Sequence, residues 1–204
     1  RSLKSYGISK KSLKKDIIKI ININLSKDKK YNHLLRVALN KQVITLSLRK
    51  RVKPKIDFKL KLVNLRREKP KYKNLKYKKI LSHLTKLDNS RSDIGLVVNN
   101  KILETGTSNL LFIKKQKIFC PIKGYYEGNT YKFFKSKVKK ILKKNILIKE
   151  LNDFEEIILI GSGKGVTSVK SIKEISWKRK SLNKFKEFSK YYRSAVKKCN
   201  PYKF

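Results

Sequence analysis

Residues 101–131 bring together, at short spacing, side chains that could do chemistry. An isolated acid, Glu104, ends an apolar segment, and a small polar turn at 105–109 follows it. Asn129 and Thr130 follow Gly128 at the start of a helical pattern. The first N–H groups of a helix have no intrahelical acceptor, so such an entrance can bind an anion. On spacing alone, a surface hairpin followed by a capped helix explains this stretch, and a carboxylate beside an anion site is the functional alternative.

A second candidate anion site is the glycine-rich segment 161–165, which follows an apolar predicted strand. Glycines let the backbone approach an anion closely, and Ser162 adds a hydroxyl donor. The segment lacks both the Gly-Lys-Ser/Thr ending of a Walker A loop and the G-x-G-x-x-G spacing of a dinucleotide loop. A glycine-rich bend without a ligand is therefore the alternative. His33 and His83 are the only histidines, too few for a zinc triad, so the sequence predicts no metal site.

Lysine and arginine dominate the composition and give a formal net charge of +41 over 204 residues. A polyanion partner is one explanation of this charge. Because lysine occurs on every predicted element rather than on one face, we favour a compositional bias over a dedicated nucleic-acid-binding protein. The two cysteines form neither a zinc site nor a disulfide framework, which indicates a reducing cytoplasm. No apolar run reaches the roughly 18 residues of a membrane span.

The elements that must position these residues follow from apolar spacing. Helical spacing predicts helices at 12–25, 75–84 and 134–142, with Lys73 just before or within the first turn of the second, and a last helix capped by Ser181. Alternating or continuous apolar runs predict strands at 34–39, 43–48, 58–65, 93–98, 102–104, 110–113, 118–120, 146–148, 157–160 and 166–169. Hairpins with interspersed helices favour an α+β fold over a doubly wound parallel sheet. A break around Pro54 predicts a small domain over 1–52, a linker at 53–57 and a larger domain over 58–204.

Several blocks of the chain, in order, are similar to one enzyme family. Residues 73–76 resemble a K-x-L-N segment, residues 92–97 an A-D-E-A-L-x block, and residues 104–112 an E-x-x-x-x-N-L-F block, which is the most specific. Residues 128–131 resemble G-I-T-R, and residues 155–169 resemble a D-E-V-F segment that continues through S-G-T. These blocks are typical of the class IV family of pyridoxal-phosphate enzymes. That family includes branched-chain and D-amino-acid aminotransferases and 4-amino-4-deoxychorismate lyase.

The resemblance implies roles for individual residues. Lys73 corresponds to the Schiff-base lysine, whose amine can also move a proton between substrate and cofactor. Glu104 corresponds to the acid that pairs with the protonated pyridine nitrogen and keeps the ring electron-poor. The other cofactor-binding residues that the resemblance implies are Tyr77 at the phenolic oxygen and, at the phosphate, Asn129, Thr130, Gly161 and Ser162.

The sequence also departs from the family pattern. Lys76 stands where the family has asparagine, Glu127 where it has proline, and Tyr131 where it has arginine. The chain opens without Met and without the early segment that brings a phosphate-binding arginine in the family. We therefore expect either an N-terminally truncated chain with an incomplete small domain, or a diverged relative with impaired catalysis.

The resemblance implies a function and partners. The expected reaction is amino-group transfer between an amino acid and a 2-oxo acid, with pyridoxal 5'-phosphate held between two domains. A lyase that eliminates pyruvate from aminodeoxychorismate is the alternative within the family. A non-enzymatic, basic nucleic-acid-binding protein is the alternative outside it. A homodimer with small-molecule substrates is expected from the same resemblance, and nucleic-acid binding is expected to be at most non-specific.

Overall fold

The structure, a computed structural model, describes residues 2–9, 11–26 and 28–199. The described residues fall into two compact units, one up to residue 51 and one over Val52–Cys199. Within the described ranges, no helix combines the length and the apolar character that crossing a bilayer requires.

The first unit consists of two helices and a hairpin: α1 Ser2–Ser5, α2 Leu13–Asn24, β1 His33–Leu39 and β2 Ile44–Lys50. The strands pair antiparallel, with Leu39 opposite Ile44. The Asn40 side chain closes the turn, because its Oδ1 accepts the N–H groups of Gln42 at 2.8 Å and Val43 at 2.7 Å. The predicted helix and both predicted strands are confirmed here. None of the described side chains of this unit is fully buried.

Two five-stranded sheets form the second unit, whose residues are all described. One sheet has the order β12-β11-β3-β4-β5, and the other has the order β10-β9-β6-β7-β8. Three α-helices complete the unit: α3 Lys78–Leu84, α4 Asn129–Lys137 and α5 Asn183–Lys197. The strands are β3 Lys59–Asn64, β4 Ser92–Val98, β5 Lys101–Thr105, β6 Asn109–Lys114, β7 Lys117–Pro121, β8 Ile141–Lys144, β9 Glu156–Gly161, β10 Gly165–Ser168, β11 Ser171–Ile172 and β12 Trp177–Lys178.

Two tight hairpins fix the order of the central strands. Asn99 and Asn100 join β4 to β5 with φ angles of 48° and 57°. Lys115 and Gln116 join β6 to β7 with φ angles of 47° and 60°. Two consecutive residues in the left-handed region match the twist of antiparallel strands, and asparagine adopts that region readily. The first hairpin places Glu104 near the end of β5.

The second sheet is buried on both faces, because successive side chains of a strand point to opposite sides. On β6, Leu110 and Phe112 belong to one core cluster with Trp177 and Phe154. The alternate residues, Leu111 and Ile113, belong to a second cluster that contains side chains of α4 and α5. The first cluster also contains side chains of β3, β4 and β5, so it lies between the two sheets. The mixed fold predicted from the sequence, α+β, is confirmed.

Three predicted elements are wrong or displaced. The predicted helix from residue 75 begins only at Lys78. Ile141 and Leu142, predicted on a helix, lie in strand β8, which pairs parallel to β7. The chain leaves α4 at Val138 with an extended backbone (φ −102°, ψ 145°), so their helical spacing is coincidental. The predicted strand 146–148 is a single bridge at Leu147 followed by a 3-10 helix over Ile148–Asp153.

The start of α5 differs in detail from the prediction. Ser181, predicted as the cap, precedes the N-cap position, and its Oγ accepts the N–H of Asn183 at 3.1 Å. The main cap is the buried carboxylate of Glu156, which accepts the N–H groups of Lys184 and Phe185, each at 2.9 Å. This carboxylate belongs to strand β9, distant in sequence, and stabilises the start of α5. At the C-terminal end of α5, Val196, predicted to face inward, is 43% exposed.

Candidate functional site

Glu104 is a buried acid with a strong ionic partner. Its side chain is 4% exposed, and Arg67 Nε donates to its Oε1 at 2.7 Å. Arg67 lies just after β3, and its Nη2 also donates to the carbonyls of Gly106 at 3.0 Å and Thr105 at 3.4 Å. Burial raises the pKa of Glu104, and the Arg67 charge and hydrogen bond partly oppose that rise. Oε2 accepts only a long bond, 3.4 Å, from the N–H of Tyr126.

Asn109 connects the turn after Glu104 to the start of α4. Its Nδ2 donates to the carbonyl of Tyr126 at 2.6 Å, and its Oδ1 accepts the N–H of Gly128 at 3.1 Å. A Cβ on Gly128 would lie 3.1 Å from that Oδ1, so a larger residue would crowd the contact. The amide of Asn109 therefore fixes where α4 begins relative to Glu104.

The two predicted anion segments meet in the structure. Thr130, in the first turn of α4, has its Oγ1 at 3.4 Å from Oγ of Ser162. The first helical hydrogen bond of α4 runs from Lys132 to Gly128, so the N–H groups before residue 132 precede the intrahelical ladder. Gly161 lets its strand end pass close to Ser108, since a Cβ on Gly161 would lie 2.8 Å from Oγ of Ser108. The hydroxyls of Thr130 and Ser162 therefore lie together at the N-terminus of α4.

Asp93 is the centre of a third group, which sequence reasoning missed. Its carboxylate is fully buried, and Oδ2 accepts hydrogen bonds from Thr105 Oγ1 at 3.0 Å and Thr107 Oγ1 at 2.5 Å. Lys164 Nζ, on a side chain 6% exposed, donates to the same oxygen at 3.0 Å. The ammonium also lies 4.8 Å from the centre of the Phe58 ring. We call Asp93, Thr105, Thr107 and Lys164 the Asp93 cluster.

Lys73 lies in a different setting from this buried group. It occupies the loop between β3 and α3, and its side chain is exposed. Because α3 starts at Lys78, Lys73 stands further from the helix than predicted. Asn74 orders the loop beside it, since Nδ2 donates to the carbonyl of Glu68 at 3.0 Å and Oδ1 accepts the N–H of Lys76 at 2.9 Å. Tyr77 immediately precedes α3 and packs against the small apolar cluster under that helix.

Tyr131, which replaces an arginine of the family pattern, faces the core. Its hydroxyl lies 3.3 Å from Sγ of Cys120 and 3.4 Å from the hydroxyl of Tyr125. Burial is the main cause that raises the pKa of both tyrosines, so both stay neutral. Position 131 therefore adds no charge to the anion site.

Sequence reasoning assigned no role to the members of the buried ion pairs Arg67, Asp93 and Lys164, or to Asn109, which contacts the backbone before α4. One signal was available for Arg67, because a buried acid requires a counter-charge or hydrogen-bond donors, and arginine is the usual partner. The second unit has two surface depressions whose linings share Asn99, Asn100 and Ile148. Neither lining includes any of the seven predicted site residues.

Comparisons with known proteins find similarity in sequence pattern and in fold. The family model described as amino-transferase class IV matches residues 1–172. The branched-chain aminotransferase of Thermoproteus uzoniensis superposes with a TM-score of 0.75 at 17% identity, over 96% of this chain and 75% of that one.

A protein provisionally assigned as a 4-amino-4-deoxychorismate lyase from Legionella pneumophila gives a TM-score of 0.76 at 16% identity, over 95% of this chain and 81% of that one. The pyridoxal-phosphate form of the Thermobaculum terrenum branched-chain aminotransferase gives 0.61 at 17% identity, over 75% and 56%. At such identities these structures establish the fold alone. No curated protein sequence matches the chain at a significant level.

Proposed function

Because this chain belongs to the class IV aminotransferase family, we propose that it is a pyridoxal-phosphate enzyme that transfers an amino group between an amino acid and a 2-oxo acid. The observation that carries the proposal is the meeting of Thr130 and Ser162 at the start of α4. The same unit also holds the buried carboxylate of Glu104. A phosphate site and a buried acid are what this cofactor requires of a protein at its two ends.

The phosphate end fits the cofactor. A phosphate needs several hydrogen-bond donors, and a helix N-terminus adds a favourable dipole. The donors here are the N–H groups of the first turn of α4, which contains Asn129, and the hydroxyls of Thr130 and Ser162. Gly161 keeps the chain close to the turn at Ser108, which leaves Ser162 beside Thr130.

The ring end also fits. A carboxylate has about four lone-pair positions, and Arg67 together with the long Tyr126 contact leaves acceptor capacity on Oε2 of Glu104. The positive charge of Arg67 favours the ionised form of Glu104, which is the form that would hold a proton on the pyridine nitrogen. Pyridoxal phosphate, when bound, supplies a ring that withdraws electrons from the substrate's α-carbon.

We assign the reactive amine to Lys73, with Tyr77 near the phenolic oxygen. Lys73 would move a proton between substrate and cofactor, and its exposed loop position leaves it accessible to both. Lys164 lies close to the candidate site, but Asp93 holds its ammonium. The motif therefore supports Lys73 for this role, and the buried ion pair argues against Lys164.

We further propose a cytoplasmic homodimer that acts on small molecules. Cys120 is a buried free thiol and Cys199 an exposed one, which agrees with a reducing compartment. Aminodeoxychorismate cleavage remains the competing reaction of the same family. Parallel assays decide between the two reactions, because amino-group transfer requires an added 2-oxo acid as acceptor, whereas cleavage of aminodeoxychorismate releases pyruvate without one.

The proposal is tested by absorption and by covalent labelling. The protein mixed with pyridoxal phosphate is expected to gain a visible absorption band, and borohydride reduction is expected to leave a pyridoxyl mass on Lys73. The matched control is Lys73→Met, which should lose the label. A label on Lys71, Lys76 or Lys78 contradicts the lysine assignment, and the absence of both band and label contradicts the cofactor assignment.

A further inference from the structure

We propose that Lys164 is a positioning residue for the phosphate end of the site, an inference that rests on the proposed function. Its ammonium fixes the 161–165 segment to Asp93 and so places the Ser162 hydroxyl beside Thr130. Lys164 itself contacts neither hydroxyl. Its effect is carried through Gly163, the one residue that separates it from Ser162.

The contacts of Lys164 show how the segment is held. Nζ donates to Asp93 Oδ2 at 3.0 Å and to the carbonyl of Ser92 at 3.3 Å, both on strand β4 of the other sheet. The carbonyl of Lys164 accepts the hydroxyl of Thr167 at 3.3 Å. Side chain and main chain of one residue are thus fixed at once, to two different strands.

The same carboxylate also holds the turn that follows Glu104. Thr105 and Thr107 both donate their hydroxyls to Oδ2 of Asp93, and Thr105 is the next residue after Glu104. One buried oxygen therefore receives donors from the ring end and, through Lys164, from the phosphate end. The distance between the two ends depends on the Asp93 cluster.

Burial of both charges favours a single placement of the 161–165 segment. Asp93 is fully buried and the Lys164 side chain is 6% exposed, so an altered placement of the segment would leave one charge without a partner. Buried ion pairs contribute little net stability compared with apolar residues of similar volume, and their best attested role is to fix one arrangement. The glycines on both sides of Lys164 would otherwise leave the segment mobile.

The first test uses Lys164→Met and the double variant Asp93→Asn/Lys164→Met, with the exposed Lys170→Met as matched control. In the ligand-free protein, amide hydrogen exchange in β10, residues 165–168, which follows Lys164 directly and pairs with β9, is expected to be about tenfold faster or more in both variants. Lys170→Met should exchange like the wild type. Unchanged exchange in Lys164→Met would overturn the positioning role, whether or not the protein binds the cofactor.

The second test separates positioning from stability. Wild-type protein is expected to bind pyridoxal phosphate more tightly than pyridoxal, which lacks the phosphate. In both variants the ratio of pyridoxal phosphate affinity to pyridoxal affinity should fall about tenfold or more, the scale of one charge-assisted hydrogen bond. The double variant, free of unpaired buried charge, should recover stability without recovering the ratio.

A ratio that returns together with stability would show that Lys164 only holds the fold, and would refute the positioning role. A wild-type protein that does not distinguish the two ligands would refute the proposed function instead. The hydrogen-exchange comparison would then decide the role of Lys164 by itself.

Discussion

Replacing Arg67 with methionine tests the ion pair on which the buried Glu104 depends. The change removes the 2.7 Å bond to Glu104 and the two bonds to the carbonyls of Thr105 and Gly106. It leaves the carboxylate, 4% exposed, with the 3.4 Å contact from Tyr126. Methionine keeps most of the side-chain volume, so the loss reports charge and hydrogen bonding rather than a cavity.

The expected loss of unfolding free energy for Arg67→Met is about 3 kcal/mol near neutral pH. Removing one partner of a buried pair costs roughly 3–5 kcal/mol. Arg67 is 16% exposed, so water partly replaces it and the lower end of that range applies. The double variant Arg67→Met/Glu104→Gln should lose less than half as much, because no buried charge is left unpaired.

The loss should depend on pH in a defined direction. Burial already raises the pKa of Glu104 above its ordinary value of 4.5, and Arg67 lowers it. For an acid with a raised pKa in the folded state, the stability present below the ordinary value is lost as pH rises through the folded pKa. Without Arg67 that folded pKa rises further, so the variant's deficit should be small near pH 4.5 and grow toward neutrality.

Urea unfolding, followed by the fluorescence of the buried Trp177, measures both effects at acidic and neutral pH. Differences between wild type and variant remove the background of other titrating groups. A deficit of equal size at both pH values would refute the reasoning, as would a double variant as unstable as Arg67→Met alone.

Three further predictions test the site and the fold. Glu104→Gln should fold and bind cofactor but lose about two orders of magnitude in turnover, roughly 3 kcal/mol of transition-state stabilisation; full activity would show that Glu104 is only structural. Glu156→Ala should cost about 2 kcal/mol in urea unfolding, because two N–H groups at the start of α5 lose their acceptor, whereas Glu156→Gln should cost less. Binding to duplex DNA at physiological salt should be weak, about 10⁻⁴ to 10⁻⁶ M, and nanomolar sequence-selective binding would contradict the enzyme proposal.

The strands were largely predictable because their signals are local. Continuous apolar residues mark β4, and paired asparagines mark the hairpin into β5. Both signals arise from residues within a few positions of each other, where backbone preference and burial agree. The same holds for β1 and β2, whose alternation and turn residue lie within one hairpin.

The errors arise where distant contacts decide the structure. Phe134, Val138 and Ile141 follow helical spacing, yet β7 draws Ile141 into a parallel pair. No local pattern distinguishes the two outcomes, because a short apolar run suits either element. The cap of α5 is a similar case, since Glu156 acts on a helix that begins at Asn183.

The residues of the candidate site also divide into those that local motifs identify and those that depend on distant contacts. Thr130 and Ser162 could be identified through motifs, and the structure places their hydroxyls together. Arg67 and Lys164 could not be identified, because each acts through a carboxylate far away in sequence, Glu104 and Asp93 respectively. The motifs contain Thr130 and Ser162, whereas the partners of buried charges depend on how strands distant in sequence pack together.

Lysine illustrates the limit most clearly, because 55 of the 204 residues are lysine or arginine and abundance carries no information here. An amine that reacts must be accessible to a substrate, whereas an amine that positions a segment must be held by its partners. Lys73 lies on an exposed loop, and Lys164 is buried against Asp93. The family motif selects Lys73 as the proposed reactive amine and burial selects Lys164 as the proposed positioning residue, so neither criterion alone finds both.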